Sequence, residues 1–290
     1  MTSSPHTRIS RRTFVGAVAT VGAAAAVTGI TTGTASAAPA KVDRAVGVAP
    51  IGGTVHTLGL TADGWVLVAA NGSARPTTGL DGADLADLTT ATGGLVAVGS
   101  VPDGDRDIPT VWESTDGLAW RVATRLTGLD GHLTAVATHG ATALAVGAQL
   151  TLERAPRQRL ALHRDASGWA VVPLDGLEHT NEWAASAVAG GAGGWVLSTV
   201  EAAGSVLATS PDGLHWTAGE QLVDAAVRSL AFTGAGVRWV GNAMGGSGGI
   251  AGVVGGGRRP VLVAQDAQAL GVVGDQSYWL VDGLIVSATV

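Results

Sequence analysis

Three aspartates, Asp103, Asp105 and Asp107, alternate with other residues in the segment PDGDRD. Carboxylates at that spacing in a loop can converge on calcium. An EF-hand loop would continue with glycine sixth and a carboxylate twelfth; this chain has Ile108 and Ser114 there, so the competing reading is a solvated, charge-bearing loop. A second charged segment, LTLERAPRQR, holds Glu153, Arg154, Arg157 and Arg159. Guanidinium forks of this kind recognise carboxylate or phosphate. A third, DGLEHTNEW, holds Glu178, His179, Glu182 and Trp183. Glu178 and Glu182 could serve glycoside cleavage if they flanked a sugar at about 5 Å or about 6.5–9.5 Å, with Trp183 stacking on the ring. Ser247 formally completes G-x-S-x-G in GGSGG, but a nucleophile elbow needs a strand-to-helix turn that this context does not offer. The histidines are scattered, with no H-x-H or H-x-x-x-H pair and no cysteine anywhere. That removes the local zinc signatures, disulfides and a cysteine nucleophile. No cofactor motif is present, and none is expected.

The elements that must position these residues read as short strands. The chain has 290 residues, 46% apolar and only 14% charged, with 44 glycines spread without a three-residue period. Disorder needs the opposite balance, and collagen needs the period. After residue 40, short runs rich in Val, Leu, Ala and Trp are separated by Gly, Asp and Asn, the pattern of an all-β chain. One hairpin pattern recurs, at 54–69, 88–99, 133–147, 184–198, 227–241 and 267–281. A β repeat of roughly 40–50 residues is the period of a propeller blade with four strands. Six blades are expected, with five or seven as alternatives and a two-sheet β-sandwich as the other fold.

A second recurrence falls late in the unit. Ser114, Asp116, Gly117 and Trp120 form Ser-x-Asp-Gly-x-x-Trp, and Ser210, Asp212, Gly213 and Trp216 repeat it; Asp165–Trp169 is a degenerate third copy. Ser and Asp oxygens can satisfy turn amides, glycine takes a positive φ, and tryptophan anchors the turn from below. These segments resemble the Asp-box, or BNR repeat, of sialidase-like β-propellers, shortened by one residue between Asp and Gly. The resemblance implies a turn between the third and fourth strands of a blade, with a structural rather than ligand-binding role. It implies no sialidase chemistry. Those enzymes use an arginine triad and a tyrosine nucleophile, and the single tyrosine here, Tyr278, lies in the apolar run SYWLV. The three charged segments above then fall in loops of the opposite face.

The first 37 residues read differently. Ser10-Arg11-Arg12-Thr13-Phe14-Val15 resembles a twin-arginine export motif, followed by a small-residue apolar stretch and Ala35-Ser36-Ala37, a small-x-small cleavage site. Positive start, apolar middle and cleavage site in that order make a signal peptide. The apolar stretch is shorter than the ~20 residues of a stable span, so no membrane span is expected after cleavage. Residues 1–37 contain Arg8, Arg11 and Arg12 but no acid, so the remainder carries 14 basic and 23 acidic side chains. A nucleic-acid groove needs the opposite sign.

The expectation is a single propeller domain over 38–290, exported, monomeric, and closed by an N-terminal strand near 44–50 pairing with the last C-terminal strands. Its expected role is non-catalytic binding of a polysaccharide or an envelope protein. The alternative is a propeller glycoside hydrolase or lyase, which would bring Glu153, Glu178 or Glu182 together with an aspartate of 103–107 near the ring axis.

Overall fold

The computed structural model describes residues 40–149, 158–177, 185–201, 203–234, 236–244, 248–256, 258–262 and 267–289. Among them there is no helix. The strands form six separate antiparallel sheets, each a meander of consecutive strands. The first contains β1 (Arg44–Ile51), β2 (Thr54–Thr61), β3 (Gly64–Ala69) and β4 (Ala74–Pro76); the second β5 (Asp84–Ala91), β6 (Gly94–Asp103), β7 (Arg106–Ser114) and β8 (Arg121–Arg125). The third holds β9 (Gly131–His139), β10 (Thr142–Gln149), β11 (Gln158–Asp165) and β12 (Gly168–Val171); the fourth β13 (Ala185–Gly191), β14 (Gly194–Glu201), β15 (Gly204–Ser210) and β16 (Thr217–Val223). The fifth is β17 (Ala225–Thr233), β18 (Gly236–Ala243), β19 (Gly249–Val253) and β20 (Arg258–Leu262), and the sixth β21 (Gln268–Val273), β22 (Gln276–Val281) and β23 (Leu284–Thr289). The first strand of each sheet packs beside the first strand of the next, and β21 returns to β1. The molecule is a six-bladed β-propeller, not a two-sheet sandwich.

The core is divided among the blade interfaces. Six apolar clusters each draw residues from two neighbouring blades. Trp112, Trp195, Trp239 and Trp279, one each from blades 2, 4, 5 and 6, are among their largest fully buried side chains. The recurring Val-Gly at the end of the second strand has a local cause. Every innermost strand carries a β-bulge against its neighbour. Opposite three of those bulges sit Gly99, Gly147 and Gly241, where a Cβ would run into the carbonyl oxygen of Asp84, His132 or Ala226.

An innermost strand is also an edge, with unpaired amides and carbonyls turned to the axis. Side chains satisfy several of them across the blade junctions. Arg44 donates to the Leu85 carbonyl, Thr134 to that of Ala185 and Asn242 to that of Ala267. The Val136 amide donates to Asp87, and the Val227 amide to Ser205 Oγ. Gln268 Nε2 donates to the Ala45 carbonyl at 3.1 Å and completes the circle.

Two sequence expectations need correction. The strand near 44–50 does not join the last blade. It is the innermost strand of blade 1, paired to β2 through a two-residue turn at Gly52-Gly53, both with positive φ. A local hairpin closes a far shorter loop than a pairing with the C-terminal end would. Consequently the first repeat, taken at 54–69, is displaced by one strand. It covers β2 and β3, whereas the other five copies cover the first and second strands of their blades.

Candidate functional site

The six innermost strands enclose an axial cavity of about 280 Å³. Every blade contributes to its wall, from Val48 on β1 to Gly274 after β21. Many of its lining residues are apolar by type, but the surface they turn to the cavity is mostly polar; Thr89, Thr90, Thr138 and Ser229 are its hydroxyl residues and Phe232 on β17 its aromatic one. Asp87 is the ionisable group among its described lining residues.

The bulge between Leu85 and Asp87 sets Asp87 in place. Its Oδ1 accepts the amide of Leu88 at 2.8 Å, and its Oδ2 accepts the amide of Val136, in blade 3, at 2.9 Å. Val136 belongs to a neighbouring edge strand, so the carboxylate caps an amide that the blade's own ladder leaves unpaired. Beside it, Thr138 Oγ1 donates to the Thr90 carbonyl at 2.8 Å and ties the same two strands. Asp87 is half-buried and borders the cavity. Burial raises its pKa to about 7, against the opposing pull of the two amide bonds. No cationic side chain is among the described lining residues to offset its charge.

Asp87 had no motif to announce it. In Asp84–Ala91 (DLADLTTA) it is one polar residue in an ordinary alternating strand, and the signal lies only in the ring geometry. The loop candidates fare differently. Asp103 faces Arg106 across the β6–β7 hairpin and pairs with it at 3.1 Å, while Asp107 faces Pro102. These are successive cross-strand pairs, so Asp103 and Asp107 project from opposite faces of the hairpin. Asp105 occupies the turn between them. The register therefore does not bring the three carboxylates onto one cation, and among the described residues no group of three or more His, Asp or Glu could hold a metal. Nor do Asp103 and Asp107 line the axial cavity. Glu153, Arg154, Arg157, Glu178, His179, Glu182, Trp183 and Ser247 lie outside the described residues, as do Arg11 and Arg12.

The two Ser-x-Asp-Gly-x-x-Trp segments join the third and fourth strands of blades 2 and 4, and they are built alike. Ser114 Oγ accepts the Gly117 amide at 2.9 Å, and Asp116 Oδ1 accepts the amides of Leu118 and Ala119 at 2.8 and 3.0 Å. Trp120 Nε1 donates to the Gly117 carbonyl at 2.9 Å. Ser210, Asp212, Gly213 and Trp216 repeat the set at 2.8, 2.9, 2.9 and 3.1 Å. Gly117 and Gly213 have φ of 77° and 82°. These bonds pull both aspartates down, Asp212 well below the usual carboxylate range, and Asp212 in turn raises its neighbour His215. Each turn also grips the linker that leads into its blade: the Trp120 backbone N–H donates to the Thr78 carbonyl at 3.0 Å, and that of Trp216 to the Asp175 carbonyl at 2.8 Å. In the degenerate copy Asp165 accepts the Ser167 amide at 2.7 Å, but Trp169 turns to Glu113 of blade 2. Glu113 also meets Arg121 at 2.6 Å and Arg164 at 3.4 Å, a junction of charges between blades 2 and 3.

No protein-family model matches the sequence, and no curated protein matches it. Among solved structures, the chain is similar to one provisionally described as a gluconolactonase, at TM-score 0.60 and 12% identity over 84% of this chain and 88% of that one. It is also similar to virginiamycin B lyase from Staphylococcus aureus (TM-score 0.53, 13% identity, 85% and 94%). A third is a luciferin-regenerating enzyme (TM-score 0.53, 9% identity, 86% and 92%). At these identities the likeness is one of fold, the β-propeller. No helix among the described residues is long and apolar enough to cross a membrane.

Proposed function

We propose that the chain is an exported, monomeric β-propeller that binds a polysaccharide or a protein at the cell envelope or outside the cell, without chemical turnover. The observation that carries this reading is the axial cavity, with one fixed carboxylate among its described lining residues. A single anchored acid can orient a ligand. Glycoside cleavage takes two, a proton donor and a base or nucleophile on opposite sides of the sugar. The divergence of Asp103 and Asp107 weighs in the same direction. Export is supported by the residues that resemble a twin-arginine motif, Arg11 and Arg12, with the small-x-small site at 35–37.

The test uses protein beginning at Ala38, incubated with insoluble cell-wall and extracellular polysaccharides and with envelope proteins. Retention without release of soluble sugar is expected. Sugar release would overturn the non-catalytic reading, and absence of retention on every glycan and protein would overturn the binding reading. For export, Arg11→Lys with Arg12→Lys in the full chain should hold the protein inside the cell; undiminished export would sink that half.

A further inference from the structure

We propose that the axial cavity is a binding site for an alkylammonium group, with Asp87 as its counter-ion. This rests on the binding-module reading above and names the chemistry its cavity selects. The carboxylate is held from both oxygens by amides of two blades, so its position is fixed before any ligand arrives. Its charge is not offset by any described lining residue. Charged groups on the surrounding strands are directed elsewhere or lie off the wall. Arg44 on β1 is engaged by Asp84 and the Leu85 carbonyl. His132 and His139 on β9 and Arg228 on β17 are not among the lining residues, and the His139 ring meets Trp195 edge-on. An uncompensated carboxylate held away from bulk water is costly, and a cation that brings its own donors relieves that cost.

The remaining wall decides which cation. A calcium ion wants six to eight oxygens, and Asp87 is the wall's one described carboxylate. A primary ammonium wants only a few acceptors, which Asp87 and the polar surface of the wall can supply. The smaller apolar share of the wall, with Val48 and Phe232 among its residues, leaves room for only a short hydrocarbon body. The cavity volume of about 280 Å³ sits just under the ~300 Å³ at which small-molecule pockets begin, so the group it holds is small. Binding needs Asp87 ionised, and its raised pKa makes the affinity pH-dependent near neutrality.

Titration calorimetry with n-butylamine, and with 1-butanol as the neutral isostere, tests this. At about pH 8 butylamine should bind at least tenfold more tightly than butanol. Its affinity should fall about tenfold between about pH 8 and pH 6, as a carboxyl titrating near 7 takes up its proton. Asp87→Asn should abolish the preference for amine over alcohol. Equal affinity for amine and alcohol, an amine affinity indifferent to pH, or an unchanged preference in a folded Asp87→Asn protein would each overturn the proposal. The first two comparisons need no variant, so they decide even if Asp87→Asn does not fold. Envelope retention without amine binding would fail this inference alone. Amine that binds and is chemically consumed would keep the site and fail the non-catalytic reading.

Discussion

At the scale of single residues, Asp87 is the group whose chemistry departs most from its surroundings. Its folded-state pKa, about 7, lies well above the ordinary aspartate value of 3.8. The folded protein therefore binds a proton that the unfolded chain releases, and the sign follows from that. The contribution to stability is complete below about pH 4 and is lost as pH rises through about 7. Unfolding midpoints of the wild type should therefore fall from pH 5 to pH 8 more steeply than those of Asp87→Asn. The asparagine has no such titration, and it gives up one of two amide bonds at every pH. Parallel curves for the two proteins, by circular dichroism, would place the titrating group elsewhere. Asp103→Ala offers the contrast. Its partner Arg106 is about half exposed, and a surface pair of that kind contributes about 0–1 kcal/mol, so its midpoint should barely move at any pH. A sequence reading favours Asp103 over Asp87, because motifs advertise clustered acids. What isolates Asp87 is its place opposite an unpaired amide of another blade, some fifty positions along the chain, which no local pattern encodes.

At the scale of elements, the turns at 114–120 and 210–216 were legible because their whole hydrogen-bond set is local. Ser, Asp, Gly and Trp all act within seven residues, so the sequence carries the structure directly. Less legible was their grip on the linkers at Thr78 and Asp175, which depends on chain outside the turn. Ser114 and Ser210 are buried, and each accepts a glycine amide that would be left without a partner. Ser114→Ala and Ser210→Ala should each cost about 1–3 kcal/mol, seen as a drop of about 2–4 °C in Tm per kcal/mol for a protein of this size. The turns belong to blades 2 and 4, so the double variant should show the sum of the two drops. Asp165→Ala, whose partners are confined to its own exposed turn, should cost less than either. An equal loss at all three sites would mean that the buried serine–glycine bonds contribute no more than those of an exposed turn.

For the whole molecule, the decisive question is how the ring stays shut. The expected exchange of an N-terminal strand into the last blade would have hidden the seam inside a sheet. Instead each blade is one continuous piece of chain, and blades 6 and 1 meet as any other pair does. The misreading has a definite origin: RAVGVAP has the same character as a donor strand or an innermost strand, and only the Gly52-Gly53 turn commits it to β2. The seam is held by the Gln268–Ala45 bond and by the apolar cluster of Val42, Ala45, Val68, Leu270, Tyr278 and Leu280. Residues just before β1 add to it. Val42 is buried and its amide donates to the Gly283 carbonyl at 3.0 Å, while the amide of Asp43 reaches Leu60 at 2.8 Å. A chain beginning at Ala38 keeps this clasp, and one beginning at Arg44 loses it. Loss of one buried valine is worth about 1.5–3 kcal/mol, so the shorter chain should melt about 3–12 °C lower. The loss should also have a place. Amide exchange should quicken in β1, β2, β22 and β23, on both sides of the seam, while β10 and β14 across the ring keep their protection. Gln268→Ala should show the same pattern more weakly, near the ~1 kcal/mol of a single hydrogen bond. Exchange that rises evenly in all six blades would mean that the ring opens only by unfolding as a unit, and that closure is shared around the circle rather than held at the seam.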